Sequence, residues 1–194
     1  MLWCVMGMSY FRRYRMEIDL RQRRLADPLL PVGFTWVAWN QSSIERHALA
    51  KFESFRYELD SRIFPCLGDL FGCERLMTEI ATQSSFLPQA TWIIAQVDYA
   101  DNPVTDCATI QGLSQSTRHG AVQNVGVIPQ CRGLGLGRAL VQKSLDGFQQ
   151  SRMNKVSLEV TADNHAAVGL YHAVGFVIVR SMYRAVEETN LHVY

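Results

Sequence analysis

Three closely spaced glycines in the second half of the chain constrain its fold more than any other feature. They follow an apolar run, Val125–Ile128, and a break at Pro129, and a helical pattern begins after them. The three residues are Gly133, Gly135 and Gly137. This order predicts a strand, a tight loop and a helix. Because glycine has no Cβ atom, a ligand can approach the backbone of such a loop closely, and successive N–H groups can turn toward one point.

The chemistry of this loop suits a pyrophosphate. A helix that begins near Gly137 would add unpaired N–H groups and the positive end of its dipole, and Arg132 and Arg138 would add mobile positive charge. We predict that the whole segment binds the ligand, through Arg132, Gly133, Leu134, Gly135, Leu136, Gly137 and Arg138. A glycine-rich turn without any ligand is the alternative, since a lone glycine motif is weakly specific.

Two better-known phosphate loops do not fit the spacing. A Walker-type loop ends in Gly-Lys-Ser/Thr, whereas Gly137 is followed by Arg138 and Ala139, so no hydroxyl is placed to hold magnesium. A dinucleotide fold needs Gly-x-Gly-x-x-Gly and an acidic residue about 20 positions later. Glu159 roughly meets the second requirement, but the glycine spacing is wrong and fewer than sixty residues follow the loop.

The composition is that of a soluble globular chain. With 194 residues, 48% of them apolar and 10% aromatic, one domain or at most two can bury a sizeable core. The 19 lysines and arginines against 18 acidic residues leave a net charge of +1, so we expect no nucleic-acid or membrane-surface partner. Arginines nevertheless crowd the first segment, at Arg12, Arg13, Arg15, Arg21, Arg23 and Arg24. This cluster either binds a local anionic patch or is a solvated strand face, and we favour the second interpretation.

The five cysteines argue against a disulfide framework and against a zinc site. Their number is odd, they are scattered, and no Cys-x-x-Cys pair or matching histidine spacing occurs. We therefore expect reduced thiols, a cytoplasmic protein and no bound metal. The apolar opening, Leu2–Met8, is too short for a membrane span and lacks the basic start of a signal peptide, so we expect an irregular segment there.

Hydrophobic periodicity predicts an α/β chain. Apolar and charged residues alternate from Tyr14 to Leu20, which indicates a half-buried strand, and a polar connector follows over Arg21–Pro31. We therefore divide the chain into an N-terminal extension with one strand, residues 1–31, and a main domain, residues 32–194. Further strands are predicted at Phe34–Trp39, Thr91–Val97, Cys107–Leu113, Ala121–Val127, Lys155–Thr161 and from Phe176. Helices are predicted over Ile44–Leu59, Cys73–Ile80 and Val141–Phe148, and from a cap at Asn164 to Gly175. The pattern from Ser181 to Tyr194 is too irregular to assign.

Several short motifs occur in the order and spacing of one known family. They are Val-x-Pro-x-x-Arg-Gly-x-Gly-x-Gly-Arg-Ala-Leu, then Leu158-Glu159-Val160, Asn164, Leu170-Tyr171 and Gly175-Phe176. Together they resemble the GNAT N-acetyltransferase superfamily, closely over Val125–Phe176 and by element order from Phe34 onward. The resemblance implies a single-domain α/β fold with a mixed, mostly antiparallel sheet whose central strands splay apart between flanking helices. This chain would add an extra N-terminal strand to that sheet.

The resemblance implies acetyl-CoA as the acetyl donor and no metal. The glycine loop matches the family's pyrophosphate-binding loop. The pantetheine arm would pair with the exposed backbone of Val125, Gly126 and Val127, where an N–H would polarise the thioester carbonyl. Asn164 matches a position near the pantetheine, although it also serves as a plain helix cap.

Two residues carry the chemistry that the resemblance implies. Tyr171 matches the family's general acid, which lies against the cofactor and protonates the leaving thiolate. Glu159 is the best candidate for the general base, because it is on the polar face of its strand and Leu-Glu-Val is similar to the bacterial ribosomal-protein N-terminal acetyltransferases. A water relayed by Gln123 or Asn124 is the main competitor, and His47 fits packing better than chemistry. The other candidate bases are His119, His165 and His172.

The acceptor is the least defined part of this expectation. In the superfamily the first two helices form a variable wall of the acceptor site, which here corresponds to Ser54–Phe64. A small amine, a peptide N-terminus and a lysine side chain all fit, and a homodimer is compatible with the sequence. A different class of function is a non-catalytic, acyl-CoA-binding regulatory module. The presence of both Glu159 and Tyr171 argues mildly for an enzyme that acetylates an amine by direct attack.

Overall fold

A seven-stranded sheet forms the centre of the molecule. The computed structural model describes residues 4–21, 28–98, 100 and 102–191. The strands are β1 Cys4–Asp19, β2 Phe34–Ala38, β3 Trp92–Val97, β4 Pro103–Ser116, β5 His119–Val127, β6 Lys155–Thr161 and β7 Val177–Leu191. Their order is β2-β3-β4-β5-β6-β1-β7, and neighbours are antiparallel except for β5 and β6. The predicted mixed, mostly antiparallel sheet is confirmed.

The extra N-terminal strand is an internal member of this sheet, because β1 lies between β6 and β7. Its alternating pattern directs Met16 and Ile18 into the core, where both are buried. The strand already begins at Cys4, so the expectation of an irregular segment over Leu2–Met8 is wrong from Cys4 onward. Leu2 and Trp3 lie outside the described residues, as do Arg23 and Arg24 of the arginine cluster.

β7 is much longer than the sequence pattern indicates. It pairs antiparallel with β1 and continues to Leu191, through most of the segment that the pattern left unassigned; residues 192–194 lie outside the described part. Val177, Ile178 and Val179 are all exposed, although they are apolar neighbours in a strand. Because neither face of this edge strand is fully buried, its sequence lacks the period of two that marks a half-buried strand.

Helices cover both faces of the sheet. They are α1 Ile44–Phe55, α2 Leu59–Ile63, α3 Leu70–Thr82, α4 Leu136–Gln150 and α5 His165–Val174. One core cluster joins α1 and α3 to β4, and a second joins α4 and α5 to the opposite face. The first predicted helix ends at Phe55 rather than Leu59, and the chain restarts there as the short α2.

The sheet divides between β5 and β6. These two strands are parallel, and their pairing covers only His119–Ala121 with Lys155–Ser157. Within the described residues no further pair joins them, so the two strands separate toward their C-terminal ends. This separation confirms the splayed central strands and leaves the backbone of both strand ends available to a ligand.

Candidate active site

A bulge in β5 opens the sheet at the point where the strands separate. The register of β5 against β4 shifts by one residue between Gly126 and Gln123, and Asn124 between them has a positive φ of 52°. The consequence is visible in two glycines six residues apart, which an unbroken strand would point to the same face. A Cβ on Gly120 would meet Phe148 of α4, whereas a Cβ on Gly126 would lie 2.7 Å from Ser54 Cβ of α1.

The glycine loop has the backbone conformation that its sequence predicts. Gly133 and Gly135 have φ values of 78° and 81°, in the left-handed region that favours glycine, and a Cβ on either would meet no atom within 4 Å. Gly135 caps α4, and the first helical hydrogen bond is donated by Ala139 N–H to Gly135 O. The N–H groups of the three preceding residues therefore have no helical acceptor and can bind an anion.

Some residues of the loop are buried and others are exposed. Leu136 and Gly137 are buried in the first turn of α4, while Leu134 and Arg138 are exposed beside the free N–H groups. Arg132 is hydrogen-bonded within the protein: Nε donates to Val127 O, Nη2 to Ser54 O and Nη1 to Glu58 Oε1. These hydrogen bonds connect the loop to the corner between α1 and α2. A pyrophosphate would have to compete with them for the guanidinium of Arg132.

A cavity of about 400 Å³ occupies the gap between the strand ends. The predicted residues that line it are Gln123, Asn124, Val125, Glu159, Asn164 and Tyr171. Gly126 packs on α1, and Val127 is turned toward α4 instead. Asn164 caps α5, since its side chain accepts a hydrogen bond from Ala167 N–H. The structure therefore brings together the residues predicted for the acid, the base and the relayed water.

The surroundings of Tyr171 shift the pKa of its phenol. Its side chain lines the cavity but is only 7% exposed, and burial raises its pKa above the usual value of about 10. The negative charge of Asp60 raises the pKa further, and the positive charge of Arg13 lowers it. The phenol consequently keeps its proton at neutral pH.

The cavity wall also contains a polar network that the sequence analysis did not predict. Arg13 Nη1 donates to Thr161 Oγ1 at 2.9 Å, and Thr161 Oγ1 donates to Asp60 Oδ1 at 2.9 Å. Arg13 Nη1 lies 3.6 Å from Asp60 Oδ1, and Arg13 Nε lies 3.9 Å from Glu159 Oε2. Arg13 is only 7% exposed, so the interpretation of the arginine cluster as a solvated strand face is wrong at this position.

The remaining candidates lie elsewhere. None of His119, His165 and His172, all described, lines the cavity, and burial lowers the pKa of His119. His47 is fully buried on the face of α1 that packs against β4, which agrees with the packing role expected for it. Within the predicted acceptor wall, Phe55, Asp60 and Phe64 line the cavity, whereas Glu58 is paired with Arg132.

The described part of the chain contains neither a membrane helix nor a metal cluster. Among residues 4–21, 28–98, 100 and 102–191, no helix is long and apolar enough to cross a membrane. In the same ranges, no group of three or more histidine, cysteine, aspartate or glutamate side chains is arranged to hold a metal ion.

Comparison with known sequences identifies a matching family model and relatives that include mycothiol acetyltransferases. The model of the acetyltransferase (GNAT) family matches residues 58–176. A mycothiol acetyltransferase of Streptomyces griseus is 27% identical over 195 residues, which cover 93% of this chain and 56% of the relative. A mycothiol acetyltransferase of Paenarthrobacter aurescens is 48% identical over 58 residues, 30% of this chain and 18% of the relative. The matched part of the chain thus spans about half of the first relative and about a fifth of the second.

Solved structures share the fold. A GCN5-related N-acetyltransferase from Sphaerobacter thermophilus matches with a TM-score of 0.68 at 20% identity, over 94% of this chain and 53% of that chain. Ard1 from Thermoplasma volcanium matches with a TM-score of 0.59 at 18% identity, over 83% of this chain and all of that chain.

Proposed function

Because this chain belongs to the GNAT acetyltransferase family, we propose that it transfers the acetyl group of acetyl-CoA to a primary amine by direct attack. One observation carries the proposal. The bulged end of β5 and the end of β6 separate over a cavity that holds a protonated tyrosine, Tyr171, and a carboxylate, Glu159. An amine acetyltransferase needs a proton donor and a proton acceptor on either side of one gap.

The residues of the loop fit the anionic end of acetyl-CoA. The N–H groups of Leu136, Gly137 and Arg138 precede the first helical hydrogen bond, and the space above Gly133 and Gly135 is open. The bulge at Asn124 frees backbone in β5 for the pantetheine arm and for an N–H to the thioester carbonyl. Acetyl-CoA supplies an acetyl group that is activated as a thioester.

The residues of the cavity account for the proton transfers. Glu159, or a water held by Gln123 and Asn124, accepts a proton from the attacking amine. Tyr171 donates its proton to the sulfur as the carbon–sulfur bond breaks and the carbon–nitrogen bond forms. Glu159 is partly exposed, so its proton can pass to solvent before the next turnover.

The acceptor that we propose is a small molecule with a primary amine. The cavity of about 400 Å³ is large enough for such a compound. Its wall combines the rings of Phe55 and Phe64 with the charged groups of Arg13, Asp60 and Glu159. The relatives' name, mycothiol acetyltransferase, adds compounds related to mycothiol to the acceptors worth testing. A peptide N-terminus and a lysine side chain are the other acceptor classes.

The decisive experiment is an acetyl-CoA turnover assay that reads free thiol across small amines, mycothiol-related compounds and peptides. We expect thiol release that requires at least one amine. Acetyl-CoA should also raise the melting temperature of the protein, while NAD and ATP should not. Stabilisation by acetyl-CoA without turnover of any acceptor would favour the non-catalytic, acyl-CoA-binding module instead, and equal stabilisation by NAD would contradict the cofactor assignment.

A further inference from the structure

An arginine from outside the matched family segment is buried at the base of the acceptor cavity. Arg13 is a residue of β1, whereas the family model begins at residue 58. Its backbone is paired with Thr161 of β6, and this register carries its side chain onto the face of the sheet that bears Glu159. The guanidinium lies over the ring of Phe64, 4.9 Å from the ring centroid. Residues of two strands, β1 and β6, and the ring of Phe64 thus surround one cation.

The burial of this guanidinium is costly. Burial lowers the pKa of Arg13, and the nearby carboxylates of Asp60 and Glu159 raise it. Arg13 Nε has no hydrogen-bond partner although the atom is inaccessible to solvent. Buried donors are rarely left unpaired, and buried ion pairs seldom add net stability over apolar packing. A role in stability alone therefore explains the position of Arg13 poorly.

The contacts of Arg13 are instead with groups of the cavity. Nη1 lies 3.6 Å from Asp60 Oδ1, and Nε lies 3.9 Å from Glu159 Oε2, which is within ion-pair range but too long for a hydrogen bond. Thr161 fixes the same carboxylate oxygen of Asp60 from the side. Glu159 can therefore approach or leave the free Nε–H, while Asp60 is held in place.

We propose that Arg13 is a positioning residue of the acceptor site, which fixes the carboxylate of Asp60 and orients that of Glu159 toward the cavity where the amine binds. A second guanidinium, that of Arg184 in β7, lies 4.3 Å from the centroid of the same Phe64 ring, and its charge helps to lower the pKa of Arg13. Arg15, which also lines the cavity, is paired elsewhere, since its Nε donates to Glu17 Oε1 at 3.2 Å. Two guanidiniums are thus near the two carboxylates, and Arg13 is within ion-pair distance of both. This inference rests on the proposed function, since it assigns a role toward the amine acceptor.

Three variants test this role. Arg13→Met removes the charge but keeps an unbranched apolar side chain over Phe64, and Arg13→Lys keeps the charge without the fork of donors. Arg12→Met is the matched control, because Arg12 is exposed on the opposite face of β1, over the ring of Tyr14. We expect Arg13→Met to lower kcat/KM for the best acceptor by about 10²-fold, the usual cost of misplacing a reacting group. Arg13→Lys should recover part of this loss, and the affinity for acetyl-CoA should stay within about twofold in all three variants.

A double variant separates positioning from stability. In Arg13→Met the carboxylates repel each other, whereas Arg13→Met with Asp60→Asn removes that repulsion and should restore the melting temperature. Under our proposal the acceptor kcat/KM of the double variant stays low, because Asp60 is lost and Glu159 is still not held. Recovery of activity together with stability, or parent activity in Arg13→Met, would overturn the proposal. Absence of turnover in the parent chain with every amine would instead contradict the proposed function itself.

Discussion

At the scale of single residues, the surroundings of Tyr171 set the pKa of its phenol. Because burial raises its pKa, the phenol should remain a proton donor throughout the neutral and mildly alkaline range. The Tyr171→Phe variant keeps the packing of the ring and removes one hydroxyl. We expect turnover to fall about 10²–10⁴-fold while the affinity for acetyl-CoA changes little. Steady-state kinetics and an acetyl-CoA binding curve measure the two quantities separately.

The raised pKa adds a dependence on pH to this prediction. A tyrosine loses its proton only above its pKa, so the rate of the parent enzyme should show no decline from this group below about pH 10. Tyr183→Phe is the matched control, because Tyr183 is exposed on β7 and is not among the residues that line the cavity. A Tyr171→Phe variant as active as this control would remove the tyrosine from the mechanism.

Glu159 makes a different prediction, because a base can be replaced by solvent. In Glu159→Gln the amine must lose its proton to water or hydroxide, so the rate should be low at neutral pH and should recover as pH rises toward the pKa of the acceptor. The measurement is a pH profile of kcat/KM for the variant and the parent. If the two profiles coincide, the proton goes to a water held by Gln123 and Asn124, and Glu159 is not the base.

Gly135 is a position of the loop where substitution is expected to strain the backbone. Its φ of 81° strains any other residue, and a β-branched side chain held there costs about 1–3 kcal/mol. Gly135→Val should therefore weaken acetyl-CoA binding about 10–100-fold, as measured by titration calorimetry. Gly7→Val is the control, since Gly7 is in a strand with no atom within 4 Å of an added Cβ. Equal affinities in these two folded variants would show that the loop does not bind the pyrophosphate.

Local spacing predicted the part of the site that is close together in sequence. Tyr171, Asn164 and Glu159 lie within one strand–helix unit, so their separation along the chain nearly fixes their separation in space. Arg13 and Asp60 are more distant in sequence. Arg13 approaches Glu159 because β1 pairs with β6, and Asp60 approaches Arg13 from α2. No pattern within β1 states which strand is its partner. Its arginines therefore look like any polar strand face.

At the scale of elements, α1 is held on the sheet by a histidine that resists protonation. His47 Nδ1 is 2.8 Å from Thr109 Oγ1 of β4, and burial, aided by the charges of Lys51 and Arg46, lowers the pKa of His47 from 6.5 to about 3. Below pH 6.5 the unfolded chain binds a proton that the folded chain does not. The free energy of unfolding should therefore decrease as pH falls toward 3, by about 2 kcal/mol at pH 5 from this group.

Denaturant unfolding at pH 7.5 and pH 5 measures this dependence. His47→Gln should flatten it by the same amount, whereas His165→Gln, at an exposed position, should leave it unchanged. An undiminished dependence in His47→Gln would mean that other groups cause it.

Elements with a buried face were predictable, and elements without one were not. β2, β3, β6 and α5 agree with their predicted bounds to within about one residue, because each has a clear apolar face or a cap. β7 and the first half of β1 do not, since they pair mainly with each other and expose much of their surface. Their stability depends on pairing between the two ends of the chain, which a local pattern does not contain.

At the scale of the whole molecule, we expect the rest of the chain to require β1 in order to fold. A chain that begins at residue 32 tests the division predicted from the sequence. It lacks the buried side chains of Met16, Ile18 and Leu20, which contribute about 1.5–3 kcal/mol each, an amount comparable with the net stability of a domain. We expect this truncated chain to lose its cooperative melting transition, as followed by circular dichroism.

A synthetic peptide of residues 4–21 provides the matching control. Added to the truncated chain, it should restore part of the transition if the missing strand is the cause. A truncated chain that melts cooperatively near the parent temperature would show that β1 is an accessory to an independent domain, as the predicted boundary at residue 31 implies.

Arg132 connects the glycine loop with the predicted acceptor wall. Its guanidinium connects the cofactor loop to Ser54 and Glu58, at the corner from which the acceptor wall begins. We expect a pyrophosphate that draws this side chain away to release that corner, so that acetyl-CoA binding would change the proposed acceptor wall. Thermodynamic reciprocity then requires each ligand to alter the affinity of the other by the same factor. We therefore expect Arg132 to couple the affinities of the two substrates.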